Sequence, residues 1–200
     1  MAIKADREYR AMVEMRAKDD EKYIVEGYAT TFDDPYVLYD DGETQIKEQI
    51  SRDALKDADM SDVLFLYNHD GDVFARQKNG TLEVCTDEHG IFVHADLSKT
   101  SKARAMYEDI KAGMVDQMSW AFTVKADEFD RKTNTRKITS VRKVYDVSAV
   151  SIPANPNTEI SARSYCDGVI AELEAERLQM AEKERRRKQL ELRIRLMEEN

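Results

Sequence analysis

Short segments rich in β-branched and aromatic residues recur through the first 160 residues of the chain, with turn residues between them. Their spacing of roughly 8 to 12 residues is typical of a β-barrel or a β-sandwich. We predict strands over residues 8–15, 22–32, 46–50, 63–67, 81–86, 90–97, 117–125 and 138–152. The fold class is therefore mainly β with a few helices (α+β), and we expect a closed or partly open β-barrel over residues 1–163.

A few helices and turns interrupt this pattern. Ser51 resembles the capping residue of a short helix over residues 51–55, and Thr100 or Ser101 can cap a helix that runs to Lys111. Gly113 then ends that helix. Residues 71–80 are polar, and the charged stretch over residues 127–137 is predicted to form the tip of a hairpin. A proline-rich segment over residues 153–157 closes this part of the chain.

The chain changes in character at about Ser164. Residues 164–200 contain no proline and a single glycine, Gly168, and they are dense in charged residues. We predict one long helix whose charges nearly balance. Its middle, residues 182–188, is almost wholly charged, so a continuous coiled-coil seam is not expected. The apolar positions near the two ends could still support a homodimer: Ile170, Leu173, Met180, Leu190, Ile194 and Met197.

Charge, hydropathy and cysteine spacing each argue against a class of function. The net charge is -9 and the isoelectric point is near 5.0, which disfavours direct nucleic-acid binding because phosphate contacts need clustered Lys and Arg. No apolar run approaches the ~18 residues that a membrane span needs, and the first residues have no apolar core like that of a signal peptide. Cys85 and Cys166 lack metal-ligand spacing, so we expect free thiols and no metal site.

One of the three histidines, a serine and an acid follow one another in suggestive settings. His69 stands at the end of a predicted strand, where catalytic groups often project from a rigid scaffold. Ser119 and Asp146 lie in later strands. A base, a hydroxyl and a carboxylate can together form an activated serine nucleophile.

Strand alternation divides the residues around Ser119 into two faces. Met118, Trp120 and Phe122 share the bulky face with Val124, and this face is predicted to be core. Ser119 lies on the face of small residues. That face could line a cleft, or it could be the solvent side of an ordinary amphipathic strand.

The remaining histidines are poorer candidates for the base. His89 falls in an exposed hairpin tip, and His94 alternates within a strand, where cross-strand packing is its expected role. His69 could equally be a simple turn residue.

The acid that orients the histidine is harder to identify. Asp146 is predicted to share a strand face with Val144, Ser148 and Val150, and a carboxylate among apolar neighbours needs a partner. Asp70 is poorly placed, because neighbours in an extended chain point apart. Asp96 and Asp116 remain possible.

In this setting the sequence resembles the prohead (capsid maturation) proteases of tailed bacteriophages, which share a fold with the herpesvirus assembly proteases. The resemblance spans residues 8–163 and rests on five segments in this order: Gly27-Tyr28-Ala29, Leu66-Tyr67-Asn68-His69-Asp70, Ile110-Lys111-Ala112-Gly113, Met118-Ser119-Trp120-Ala121-Phe122, and a final segment from Asp146-Val147-Ser148 to Pro153-Ala154-Asn155-Pro156.

The resemblance implies that His69 is the general base and Ser119 the nucleophile of a serine endopeptidase, with Asp146 as the third member. Two positions depart from the family pattern: Ala121 replaces a frequent glycine, and Asp146 replaces a frequent glutamate. No histidine follows Ser119, although the herpesvirus relatives use a second histidine. No cofactor is implied. The oxyanion donors are either backbone N–H groups or an arginine such as Arg142.

The same resemblance implies the biological setting. The partners would be the phage major capsid protein and scaffold segments, cleaved inside the immature prohead in the host cytoplasm, with self-cleavage. Residues 1–163 would form the protease domain, and residues 164–200 a removable charged tail that brings the enzyme into the prohead. The alternative is a non-enzymatic scaffold or capsid-binding assembly protein, which the long polar helix and the acidic charge fit equally well.

Overall fold

The computed structural model describes residues 7–19, 22–151 and 160–198. The chain divides into two compact units, residues 1–163 and residues 164–200. The first unit is mainly β, as predicted. The predicted closing segment over residues 153–157 lies outside the described residues.

Ten strands and one helix make up the described part of the first unit, together with two short 3-10 turns at Arg52–Leu55 and Gln77–Asn79. The strands are β1 (Glu8–Asp19), β2 (Ile24–Thr31), β3 (Tyr36–Asp40), β4 (Gln45–Ile50), β5 (Leu64–Tyr67), β6 (Asp70–Arg76), β7 (Leu82–Thr86), β8 (Gly90–Asp96), β9 (Gln117–Asp130) and β10 (Thr135–Val150). The helix is α1 (Ser101–Lys111).

The strands form one sheet in the order β3-β4-β10-β9-β1-β2-β8-β7. The long strand β10 organises it: one edge pairs antiparallel with β9, and the other pairs in parallel with β4 along its first half and with β5 along its second. Strand β6 pairs with β5 only, among the described residues. The same residues show no pairing between β3 and β7, so closure of the barrel stays a prediction.

The core face of β9 follows the predicted alternation. Met118, Trp120 and Phe122 are fully buried, and the rings of Trp120 and Phe122 stack with centroids 3.8 Å apart. Val144 and Val147 of β10 belong to the same hydrophobic cluster. Val124 packs against this cluster and is only partly buried.

Helix α1 begins and ends as its sequence predicts. The Thr100 side chain accepts a hydrogen bond from the Ala103 N–H at 3.0 Å, which satisfies one of the unpaired donors at the helix start. Gly113 takes a left-handed conformation with φ of 71° just after the helix, where a side chain would add strain.

Several predicted boundaries were wrong. Strands β3 and β6 were not predicted, because their sequences are short or polar and β6 is held by its pairing with β5. The stretch over residues 127–137 is mostly strand, since β9 and β10 continue as a paired ribbon and only residues 131–134 form the turn. Ser51 makes no side-chain capping bond, and burial of Ala54 and Leu55 holds the short 3-10 turn that follows it.

Helix α2 spans Ile160–Glu198, and its part from Ser164 onward is the described portion of the second unit. Its charged middle carries ion pairs between residues four apart, such as Arg186 with Glu182 and Lys188 with Glu184. Such pairs support an exposed helix that has no continuous apolar seam. In the described parts of the chain, no helix is both long enough and apolar enough to cross a bilayer.

A buried network of charged side chains joins β1 to β4 and β10. Glu48 is wholly buried and accepts hydrogen bonds from Arg10 at 2.6 and 2.9 Å and from Arg136 at 3.0 Å. Glu8 bonds both of these arginines, and the Tyr36 hydroxyl also donates to Glu48. The network thereby ties the start of β1 to β4 and β10.

Candidate active site

Ser119 lies in the middle of the sheet. On β9 it stands opposite Ala11 of β1 and opposite Ser148 of β10. Its side chain is on the face opposite Trp120, as predicted, and both Ser119 and Ala121 are wholly buried. The interpretation of this face as a solvent side is therefore wrong.

His69 is carried by a tight turn between β5 and β6. Asn68 and His69 have φ of 49° and 60°, and the pairing of Tyr67 with Asp70 closes a two-residue hairpin loop around them. Two successive positive φ angles define the turn type that matches strand twist, and Asn is well suited to the first position. The Asn68 N–H donates to the Ala149 carbonyl at 2.9 Å, which holds the turn against β10.

Asp146 reaches the same place because of an irregularity in β10. The register shifts between Val144, opposite Phe122, and Asp146, opposite Ala121. Val144 therefore stays in the core, while Asp146 turns to the face of Ser119. The prediction that Asp146 shares a face with Val144 was wrong, because the bulge inserts one residue between them.

The His69 imidazole lies within hydrogen-bonding distance of both Ser119 and Asp146. His69 Nε2 is 2.6 Å from Ser119 Oγ, and His69 Nδ1 is 2.6 Å from Asp146 Oδ1. The His69 and Asp146 side chains are 5% and 3% exposed. Since an ionised carboxylate can only accept, the imidazole hydrogen is assigned to Nδ1, and Nε2 is left to accept the serine proton.

Two further side chains touch this cluster. Ser148 Oγ donates to Asp146 Oδ1 at 2.7 Å. The Tyr9 ring meets the His69 imidazole edge to face, with centroids 4.6 Å apart. Sequence reasoning assigned neither of them a role. The two-residue spacing from Asp146 could have indicated Ser148, whereas no local pattern points from Tyr9 to His69.

The other histidines lie elsewhere. The His89 ring packs against Tyr28 near the exposed tip between β7 and β8. His94 Nδ1 is 2.8 Å from Glu26 on the neighbouring strand β2, which confirms its predicted cross-strand role.

The alternative acids are engaged outside the cluster. Asp70 accepts from the Gly71 N–H, and Asp116 is exposed. Burial by itself raises the pKa of Asp96, but hydrogen bonds from Lys99 and from its own loop outweigh it and lower that pKa below its usual range. Arg142 is exposed on β10, ahead of the bulge. Within the described residues, no group of three or more His, Cys, Asp or Glu side chains could hold a metal ion.

Comparison with known proteins gives one result. The sequence profile for the caudovirus prohead serine proteases matches residues 11–168, which include His69, Ser119 and Asp146. Searches of curated proteins and of solved structures returned no significant match. The match covers more than half of the chain, and the chain therefore belongs to the caudovirus prohead serine protease family.

Proposed function

We propose that this protein is a serine endopeptidase that cleaves phage capsid and scaffold proteins, and itself, during prohead maturation. Membership of the family supports a capsid-maturation protease in general. The observation that carries the specific proposal is the His69 imidazole, whose two nitrogens each lie 2.6 Å from a partner, Ser119 on one side and Asp146 on the other.

The assigned hydrogen-bond directions support peptide hydrolysis at this cluster. Ser119 Oγ attacks the scissile carbonyl carbon while His69 Nε2 takes the serine proton. The C–N bond then breaks, and His69 returns that proton to the leaving amine, which leaves an acyl-enzyme. A water molecule then attacks the acyl-enzyme in the same way, and the new carboxylic acid is released from Ser119. Asp146 holds the Nδ1 hydrogen and stabilises the cationic imidazole in both halves.

The tetrahedral intermediate also needs donors for its oxyanion, which usually supply the largest electrostatic contribution. Backbone N–H groups near Ser119 or the side chain of Arg142 are the proposed donors. The Arg142 side chain is exposed, so it would have to approach the substrate from the solvent side. Arg142→Met tests this choice, since loss of a single donor lowers kcat by about 10²- to 10³-fold.

The decisive test is incubation of the purified chain with its own capsid protein, followed by mass spectrometry of new termini. Ser119→Ala should abolish cleavage, because the attacking oxygen is gone. Asp146→Asn should lower kcat on the order of 10⁴-fold, because the amide favours the wrong imidazole tautomer.

Ser140→Ala provides the matched control, since Ser140 is a partly buried serine on β10 opposite Ala126, away from the cluster. It should cleave like the unchanged protein. If Ser119→Ala folds and the capsid protein is still processed at the same termini, the chain is not the protease. The non-enzymatic assembly protein then becomes the better reading.

The proposed role of residues 164–200 is to bring the enzyme into the immature prohead, inside the host cytoplasm, and then to be removed. Their division from the first unit and their exposed, charge-paired helix support a separable segment. A chain truncated near Ser164 should enter proheads less efficiently than the full chain, as measured by immunoblotting of purified proheads. Equal packaging would contradict this role.

Self-association through α2 is a further part of the proposal. Apolar side chains on both sides of its charged middle are exposed, including Met180 at 67% and Ile194 at 49%. Met180→Lys combined with Ile194→Lys should leave the protein monomeric in sedimentation velocity if the helix pairs with a second copy. An unchanged oligomeric state would exclude pairing through these positions.

A further inference from the structure

We propose that Ser148 is a positioning residue that holds the Asp146 carboxylate against His69, a role that rests on the proposed function of the site. Ser148 is wholly buried, and its hydroxyl donates to Asp146 Oδ1 at 2.7 Å. The same oxygen lies 2.6 Å from His69 Nδ1. One carboxylate oxygen therefore receives both donors.

The position of Ser148 on the strand lets it restrict the rotation of the Asp146 carboxylate. The bulge in β10 ends at Asp146, and the register is regular from Asp146 to Val150. Residues two apart in a regular strand share a face, so Ser148 stands beside Asp146. The terminal torsion of an aspartate is broad and roughly two-fold. A fixed hydroxyl on Oδ1 restricts that rotation and keeps this oxygen toward the imidazole.

Ser148 is not a second nucleophile, although it faces Ser119 directly across the strand pair. The His69 Nε2 atom is within hydrogen-bonding distance of Ser119 Oγ, whereas the Ser148 hydroxyl donates its hydrogen bond to Asp146. A serine activates only when a base can take its proton. The hydrogen-bond directions thus divide the two facing serines into an attacking hydroxyl and a supporting one.

The first measurement is steady-state cleavage of a peptide that spans a site mapped on the capsid protein. Ser148→Ala should lower kcat by roughly 10- to 100-fold, the range expected for loss of a hydrogen bond to a charged group, with KM unchanged. Ser148→Thr keeps the hydroxyl in a β-branched residue that suits a strand, and it should restore most of the rate. Ser140→Ala is again the matched control.

A double-mutant cycle separates positioning from a purely structural role. In an Asp146→Asn chain the carboxylate is already gone, so adding Ser148→Ala should cause no further fall in kcat. The acylation rate of Ser119 by a fluorophosphonate probe should show the same pattern. The most downfield imidazole proton in the NMR spectrum, assigned to His69 Nδ1–H, should move in Ser148→Ala and return in Ser148→Thr.

Three outcomes would overturn the proposal: kcat within twofold of the unchanged protein in Ser148→Ala, equal additional losses in both backgrounds, or no rescue by a folded Ser148→Thr chain. These failures differ from failure of the proposed function. If Ser119→Ala abolishes cleavage while Ser148→Ala is silent, the protease stands and only the role of Ser148 falls. If Ser119→Ala still cleaves, both fall.

Discussion

The buried network around Glu48 yields a quantitative prediction for Arg136→Met. The Arg136 guanidinium donates to Glu8 at 2.8 and 3.0 Å, to Glu48 at 3.0 Å and to Asp127 at 2.5 Å. Its side chain is 5% exposed, and those of Glu48 and Glu8 are 0% and 11% exposed. Methionine preserves the apolar stem and leaves two nearly buried carboxylates with one cation, Arg10.

The size of the stability loss follows from the burial of the two carboxylates that lose Arg136. Breaking a buried ion pair from one side typically costs about 3–5 kcal/mol, because the other charge cannot return to water. Asp127 is 30% exposed and can be solvated, so it adds little. We therefore expect the free energy of unfolding to fall by about 4 kcal/mol. For a chain of this size the Tm should fall by about 8–16 °C.

The pH dependence has a defined sign. Burial by itself raises the pKa of Glu48, but the charges and hydrogen bonds of Arg10 and Arg136 outweigh it, so that pKa lies below its ordinary value of 4.5. A lowered folded-state pKa contributes stability that is present above pH 4.5 and is lost as the pH falls through the folded value. The deficit of Arg136→Met should thus be greatest at neutral pH and shrink below pH 4.5.

The assay is urea unfolding, with every variant made in a chain that also carries Ser119→Ala. This substitution removes the proposed nucleophile, so that the proposed self-cleavage cannot interfere. Trp120 is the only tryptophan and is wholly buried, so its fluorescence reports directly on loss of the core. Arg142→Met, on an exposed position of the same strand, should unfold like the parent. A loss below about 1 kcal/mol in Arg136→Met, equal to that of an exposed arginine, would refute the reasoning.

Three other changes test separate features. Gly90→Ala should destabilise the chain by about 3 kcal/mol in the same urea assay, because the added Cβ would lie 1.9 Å from the backbone oxygen of Thr30; an unchanged midpoint would contradict this packing. Thr100→Ala should cost about 1 kcal/mol through loss of the cap on Ala103, and Thr100→Ser should restore it. Tyr9→Ala should lower kcat by about 2- to 10-fold with folding intact, the size expected of one aromatic pair; a change in KM alone would exclude a role at the imidazole.

The three residues of the candidate site could be proposed from the sequence, but their full geometry could not. Ser119 was assigned to the correct face because strict alternation holds along the first part of β9. Asp146 shares a face with Ser148 and Val150, as predicted, but its predicted sharing with Val144 was wrong, because a bulge is a matter of strand pairing, which period-two patterns do not encode. The pairing of His69 with both partners depends on contacts 50 and 77 residues away along the chain.

The long-range features could not be predicted at all. The charged residues of the network, such as Glu48 and Arg136, look like surface residues in their own segments. They are buried because three strands from distant parts of the chain converge on them. The local sequence therefore gave no sign of their burial, which depends on tertiary structure. Strand β6 was missed for a similar reason, since pairing with β5 rather than composition makes it a strand.

Three successive residues of strand β1 contact both the charged network and the candidate active site. Residues 8–10 alternate between the charged network, through Glu8 and Arg10, and the His69 ring, through Tyr9. A cut of the chain just before residue 11 would therefore separate both contacts from the rest of the sheet at once, whichever protease makes it.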